Sequence, residues 1–135
     1  MPSSTTSFEP ARVLLVDDNE AMLARAATVL TAECVVVGIA SDGWTALDRA
    51  ATLHPDVIVL DIAMPGMSGL EVAACLRDAG STAAVVFLTV YDDEEFILAA
   101  KAAGAIGYVV KPRLAADLMH AIREAQAGRS FVSVR

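Results

Sequence analysis

Short apolar runs recur along the chain at Val13 to Val16, Val35 to Ile39, Val57 to Leu60, Val85 to Leu88 and Tyr108 to Val110. They are β-branched and continuous rather than alternating. That is the pattern of strands buried on both faces of a parallel sheet. Helical periodicity fills the intervals. Met22, Ala26, Val29 and Leu30 make one apolar stripe, and Leu114, Leu118, Ala121, Ile122 and Ala125 make another. Ser68 with Glu71, and Asp92 with Glu95, have the spacing of a capping box at a helix start. Strand and helix alternate five times. This predicts an α/β fold, a three-layer sandwich of a five-stranded parallel sheet and five helices joined by right-handed crossovers. Residues 1–10 are rich in Ser, Thr and Pro and read as a flexible tail; 11–128 form the domain; 129–135 begin a linker or C-terminal tail.

The 135 residues suit one domain, and a composition 56% hydrophobic and 20% charged excludes a disordered chain. Ten basic against 17 acidic residues give a net charge of −7, which argues against a nucleic-acid-binding surface. Cys34 and Cys75 cannot build a disulfide framework and lack zinc-site spacing. Each is expected to be a small core residue in a reducing compartment. No uncharged stretch approaches the roughly 18 apolar residues of a membrane span, and the first residues show no apolar signal-peptide core. The expectation is a cytoplasmic domain without membrane contact.

In parallel α/β sheets, ligands bind beyond the carboxyl ends of the strands. Asp17 and Asp18 follow the first run, Asp61 the third, Thr89 the fourth and Lys111, before Pro112, the fifth. Only the second run is followed by nothing reactive. Three carboxylates in one small site raise each other's pKa unless a cation joins them. Mg²⁺ suits such a site because it takes oxygen ligands and retains waters. Carboxylates holding a metal beside an ammonium and a hydroxyl make a site for a phosphoryl group, and one carboxylate can act as nucleophile to give an acyl phosphate.

The segments VLLVDDNE, VIVLDIAMPGMSGLEV, VVFLTVYDDEEF and AAGAIGYVVKP resemble the receiver domain of bacterial two-component response regulators, over roughly 12–128. The resemblance implies a flavodoxin-like fold with strand order 2-1-3-4-5. It implies Mg²⁺ bound by Asp17, Asp18, Asp61 and the backbone carbonyl of Ala63, with Asp18 a more direct ligand than Asp17. It makes Asp61 the phosphoacceptor, Thr89 the switch hydroxyl, Lys111 the phosphoryl-binding lysine and Tyr108 the switch aromatic. It also implies a cis Lys111–Pro112 bond. The partner would be a sensor histidine kinase or phosphotransfer protein, with a homodimer allowed. The domain would be a signalling phosphoacceptor and not an enzyme in the ordinary sense. Its phosphorylation would control an output, transcription by a DNA-binding domain, and AGRSFVSVR resembles the end of receivers that continue into a helix-turn-helix domain. An excised fragment is favoured over a stand-alone receiver.

Val90 stands after Thr89 where receivers often carry a small residue, which narrows the expected access. Gly66 and Gly69 are assigned to the turn after Asp61. His54, His120 and Trp44 receive no functional role, and Asp92 to Glu95 are read as helix-start charges. Two alternatives remain. One is a pseudo-receiver that acts by interaction alone, although neither the acids nor the lysine is missing. The other is a Mg²⁺-dependent phosphatase of the haloacid-dehalogenase type, which needs a D-x-D that Asp61-Ile62-Ala63 does not provide.

Overall fold

The computed structural model describes residues 9–133. The expected tail at 1–10 therefore lies mostly outside the described residues. The strands are β1 (Ala11–Val16), β2 (Cys34–Ala40), β3 (Val57–Leu60), β4 (Ala84–Thr89), β5 (Gly107–Val110) and β6 (Phe131–Val132). The helices are α1 (Glu20–Leu30), α2 (Gly43–Leu53), α3 (Gly69–Asp78), α4 (Glu94–Ala102) and α5 (Leu114–Gln126). All neighbouring strands pair in parallel, in the order β2-β1-β3-β4-β5-β6. The fold is the predicted sandwich, with a sixth, two-residue strand added from the segment expected to be a linker.

The continuous apolar runs have a direct cause. Successive strand side chains point to opposite faces, and here both faces are covered. Leu14, Val16, Ile58, Leu60 and Phe87 pack on one side against Ala46 and Ala50 of α2, Val72 and Leu76 of α3, and Ile97 of α4. Val13, Leu15, Val57, Val59 and Val86 pack on the other against Leu23, Ala26 and Leu30 of α1 and Leu114, Leu118 and Ile122 of α5. Burying each of the Val, Leu, Ile and Phe side chains contributes roughly 1.5–3 kcal/mol. Every residue of β3 is buried, so the strand that carries Asp61 is anchored from both sides.

Several expectations are corrected. β2 is an edge strand, and Val35 and Ile39 are about half exposed because no strand covers its outer side. Leu23, absent from the expected α1 stripe, is buried, while Met22 and Val29 only flank it. Cys34 is buried, but Cys75 lies exposed on α3. The Ser68–Glu71 capping box is present. The Asp92–Glu95 box is not: α4 begins one residue later, with Asp93 as N-cap and no side-chain cap hydrogen bond. No peptide bond among the described residues is cis. Residues Lys111–Arg113 wind into a 3₁₀ turn with Pro112 in its opening positions. There the fixed φ and missing N–H of proline fit without cost, and the ordinary trans preference of about 0.5–1 kcal/mol stands.

Candidate functional site

Because every strand runs the same way, their carboxyl ends meet along one edge. Main-chain bonds fix the approach: Asp17 N–H donates to Ala40 O at 3.1 Å, and Asp61 N–H donates to Val16 O at 3.0 Å. Asp17 is then held by the start of α1. Asn19, the N-cap, accepts from Met22 N–H through its side chain and donates its own N–H to Asp17 Oδ1 at 2.9 Å. An Asn just before a helical stripe is a cap signal, so this positioning residue was available in the sequence but was not singled out.

The loop after Asp61 is shaped by glycine and an aromatic. Gly69 N–H donates to Ile62 O at 2.8 Å. A Cβ on Gly69 would lie 1.9 Å from the Asp61 carbonyl oxygen, so only glycine lets α3 start against that peptide. Gly66 has φ +82°, and a Cβ there would lie 2.7 Å from the Trp44 ring. Trp44, given no role by the sequence, therefore lies over the loop that carries Ala63. Ala63 itself is exposed.

Carboxylate oxygens of Asp17, Asp18 and Asp61 lie within 4.8 Å of one another. Asp17 and Asp61 are buried, whereas Asp18 is exposed at the mouth. Lys111 reaches in from the end of β5. Its Nζ lies 2.9 Å from Asp17 Oδ2 and 3.2 Å from Asp61 Oδ2. The contact with Asp61 is a hydrogen bond, and that with Asp17 is a close ion pair without hydrogen-bond alignment. Asp61 Oδ1 is buried and accepts no hydrogen bond. Burial pushes the Asp61 carboxyl above the usual carboxylate range, the charge of Asp17 adds to this, and Lys111 offsets only part. Burial also works against the Lys111 ammonium, but its contacts with Asp17 and Asp61 outweigh it and hold the pKa above that of an ordinary lysine.

Three carboxylates thus face one ammonium, which leaves two negative charges uncompensated. An orphaned carboxylate oxygen in an all-oxygen, doubly negative cluster fits a hard divalent cation such as Mg²⁺.

Thr89 is fully buried at the end of β4, and its Oγ1 accepts a long bond from Tyr91 N–H at 3.4 Å. Tyr108 is turned inward, 2% exposed, and its hydroxyl donates to Tyr91 O at 2.6 Å. Tyr91 stacks on Phe96 with ring centroids 4.4 Å apart. Val90 is exposed beside Thr89. Asp17, Asp18, Asp61 and Lys111 are thus brought together, and Thr89 and Tyr108 are linked to each other through Tyr91. His54 and His120 are both exposed.

Residues 13–123 match the family model of the response regulator receiver domain. The nitrate/nitrite response regulator NarL of Escherichia coli K12 is 36% identical over 127 residues, covering 93% of this chain and 59% of that protein. The positive alginate biosynthesis regulatory protein of Pseudomonas aeruginosa is 42% identical over 116 residues, covering 84% of this chain and 46% of that protein. The chain thus spans 59% and 46% of the lengths of these two relatives. A two-component response regulator of the LuxR family from Aurantimonas sp. SI85-9A1 superposes with a TM-score of 0.87 at 31% identity, covering 91% of this chain and 89% of that one. A site assembled from strand ends, on this fold, with this sequence match, makes the chain a member of the response regulator receiver domains.

Proposed function

We propose that Asp61 accepts a phosphoryl group from a phosphohistidine of a sensor histidine kinase or phosphotransfer protein. The observation that carries this reading is the pairing of Asp61 with Lys111 and Asp17 in a pocket where one Asp61 oxygen has no donor. In the transfer, the P–N bond to the donor imidazole breaks and that nitrogen keeps the electron pair, while an Asp61 oxygen forms the new P–O bond. Asp17, Asp18, Asp61 and the Ala63 carbonyl would hold Mg²⁺, which supplies charge neutralisation for the phosphoryl oxygens when bound.

Lys111 orients the Asp61 carboxylate before transfer and pairs with a phosphoryl oxygen after it. The Thr89 hydroxyl, bonded only weakly to the Tyr91 amide, is free to turn toward the phosphoryl group. Tyr91 bonds to both, its N–H to Thr89 and its carbonyl oxygen to the Tyr108 hydroxyl, and so couples the two switch residues. Phosphorylation then shifts an existing equilibrium between two forms of the β4–β5 edge. We assign the output to transcription and the setting to the cytoplasm.

The test is intact mass after incubation with Mg²⁺ and acetyl phosphate, beside Asp61→Asn. A gain of one phosphate that vanishes in the variant is expected. No adduct from acetyl phosphate or from a phosphorylated histidine kinase refutes the reading and favours an interaction module that never takes phosphate.

A further inference from the structure

Trp44 is the chain's one tryptophan, and its side chain is 59% exposed. It stands in the first turn of α2, whose start is firmly fixed. Asp42, the N-cap, accepts from Thr45 N–H at 2.8 Å and from Thr45 Oγ1 at 3.1 Å, and Gly43 is buried. Two glycines interlock this start with the loop after Asp61. A Cβ on Gly66 would lie 2.7 and 2.8 Å from Cζ3 and Cη2 of Trp44, so the outer edge of the indole rests on the Gly66 main chain. A Cβ on Gly43 would lie 2.8 Å from Met67 Cβ and 2.9 Å from Met67 Sδ, so Met67 fills the space that Gly43 leaves. Each segment seats its large side chain on the other's glycine. Apart from Met64, which is buried in the core, the loop has little else to hold it. Ile62 O accepts from Gly69 N–H, and Ser68 caps α3. Between those two residues, the one main-chain hydrogen bond among the described residues is Met67 N–H to Pro65 O at 3.1 Å. Ala63 and Pro65 are exposed.

A loop with so few main-chain bonds keeps its shape through side-chain contacts. We propose that Trp44 is a positioning residue for the carboxylate site: its indole clasps the Ala63–Met67 loop against the start of α2 and keeps the Ala63 carbonyl in one orientation beside Asp61. This deepens the metal reading given above and rests on it. Ala63 follows Asp61 by two residues and precedes Gly66 by three, so little slack separates the clasp from the carbonyl. The direction of a carbonyl oxygen is set by the backbone dihedrals alone, and Mg²⁺ demands near-ideal octahedral placement of its ligands. Fixing a residue in one backbone conformation costs entropy. With Trp44 in place, that ordering precedes the cation. Without it, cation binding must supply the ordering, and affinity falls. The coupling is reciprocal: the factor by which Trp44 strengthens cation binding is the factor by which the cation strengthens the seating of Trp44.

The experiment compares wild type, Trp44→Ala, Trp44→Phe and Gly80→Ala by NMR, with Mg²⁺ alone as the probe. Ala is a better helix former than Trp, so Trp44→Ala leaves α2 intact. In chelator, amide relaxation should show Ala63, Met64 and Gly66 more mobile in Trp44→Ala than in the wild type. The Mg²⁺ midpoint, read at the Asp18 and Asp61 amides, should rise about 10-fold, the lower end of what residues that orient metal ligands contribute. Trp44→Phe, which keeps a shorter ring, should fall between the two. Gly80→Ala, strained just beyond the end of α3, should bind Mg²⁺ as the wild type does, which separates positioning from loss of stability. In the wild type, Mg²⁺ should also move the Trp44 indole N–H signal with the midpoint of the Asp18 amide. An unchanged midpoint in Trp44→Ala overturns the proposal, whether or not the loop loosens. So does a raised midpoint with the loop as rigid as in the wild type, or one raised equally in Gly80→Ala. If Mg²⁺ leaves the Asp17, Asp18 and Asp61 signals of the wild type unmoved, the metal reading itself fails and the proposal falls with it.

Discussion

Replacing Gly69 by Ala tests how tightly the fold holds the phosphoacceptor candidate. Ala suits a helix better than Gly by about 1 kcal/mol, so propensity alone predicts a gain. The geometry predicts the reverse. The new Cβ would sit 1.9 Å from the Asp61 carbonyl oxygen and 2.9 Å from the Ile62 Cα, both main-chain atoms that no rotamer change can move aside. Overpacking of this kind costs about 3 kcal/mol at the upper end of its usual range, which leaves a net loss of about 2 kcal/mol after the helix gain. For 135 residues, with an unfolding entropy of about 2.1 cal/mol/K per residue, Tm falls by about 7 °C. Relief of the clash must push the Asp61 peptide away from α3. A displacement of about 1 Å at a reacting group costs about 100-fold in rate, so phosphorylation should fall by a similar factor. Gly80→Ala is the control. Its Cβ meets nothing within 4 Å, but φ is +79°. It should cost roughly 1–2 kcal/mol of backbone strain and leave phosphate uptake unchanged. Thermal melts by circular dichroism and mass-spectrometric time courses with acetyl phosphate read both effects. A Gly69→Ala protein that melts with the wild type and takes phosphate at the wild-type rate refutes the argument.

Three further outcomes follow from the site. Asp61 has its pKa raised by burial and by Asp17, so its ionised form weighs against folding once pH rises past the unfolded carboxylate range through the raised folded value. Asp61→Asn should therefore raise Tm at pH 7 in chelator. The gain should vanish below the ordinary Asp pKa of about 3.9, and a gain that grows on acidification contradicts the sign. Asp18→Ala should keep the fold, because the side chain is exposed, yet lose Mg²⁺-dependent phosphorylation; normal uptake in the variant would show that the metal assignment is wrong. Self-dephosphorylation should take minutes or longer, since Ala63 offers no group to hold an attacking water and Tyr91 is stacked on Phe96. Ala63→Asn should speed the decay, because water-orienting help is typically worth about 10²–10⁴-fold, and a wild-type half-life of seconds would count against this.

Strands were legible where burial is two-sided. Val57 to Leu60 needs an apolar residue at every position, and no helix of useful length has that pattern with so few residues. β2 was legible as a strand too, but its apolar run lies at an edge with Val35 and Ile39 exposed. An apolar run reports propensity for a sheet but not which neighbours close over it. β6 was missed for the opposite reason: two residues carry no periodicity, and its partners on β5 are more than twenty positions away. Cys75 shows the limit for single residues, because one small side chain on a helix can face either way.

The sequence by itself determined the class of fold and the residue types at the strand ends. Parallel strands with right-handed crossovers put every carboxyl end on one edge, so Asp17, Asp18, Asp61, Thr89 and Lys111 had to share it. Tertiary structure alone decided how they meet. That Lys111 bridges Asp17 and Asp61, and that one Asp61 oxygen is left without a donor, follows from the register of β1, β3 and β5. That Trp44 and Gly69 shape the loop after Asp61 follows from the packing of α2 and α3. The 3₁₀ turn with its trans Lys111–Pro112 bond, and the hold of Asp117 on Ser133, depend on where α5 docks. Local sequence sets what each segment can be. Contacts between segments far apart in the chain, each worth a few kcal/mol and each dependent on the others, set where its side chains end up.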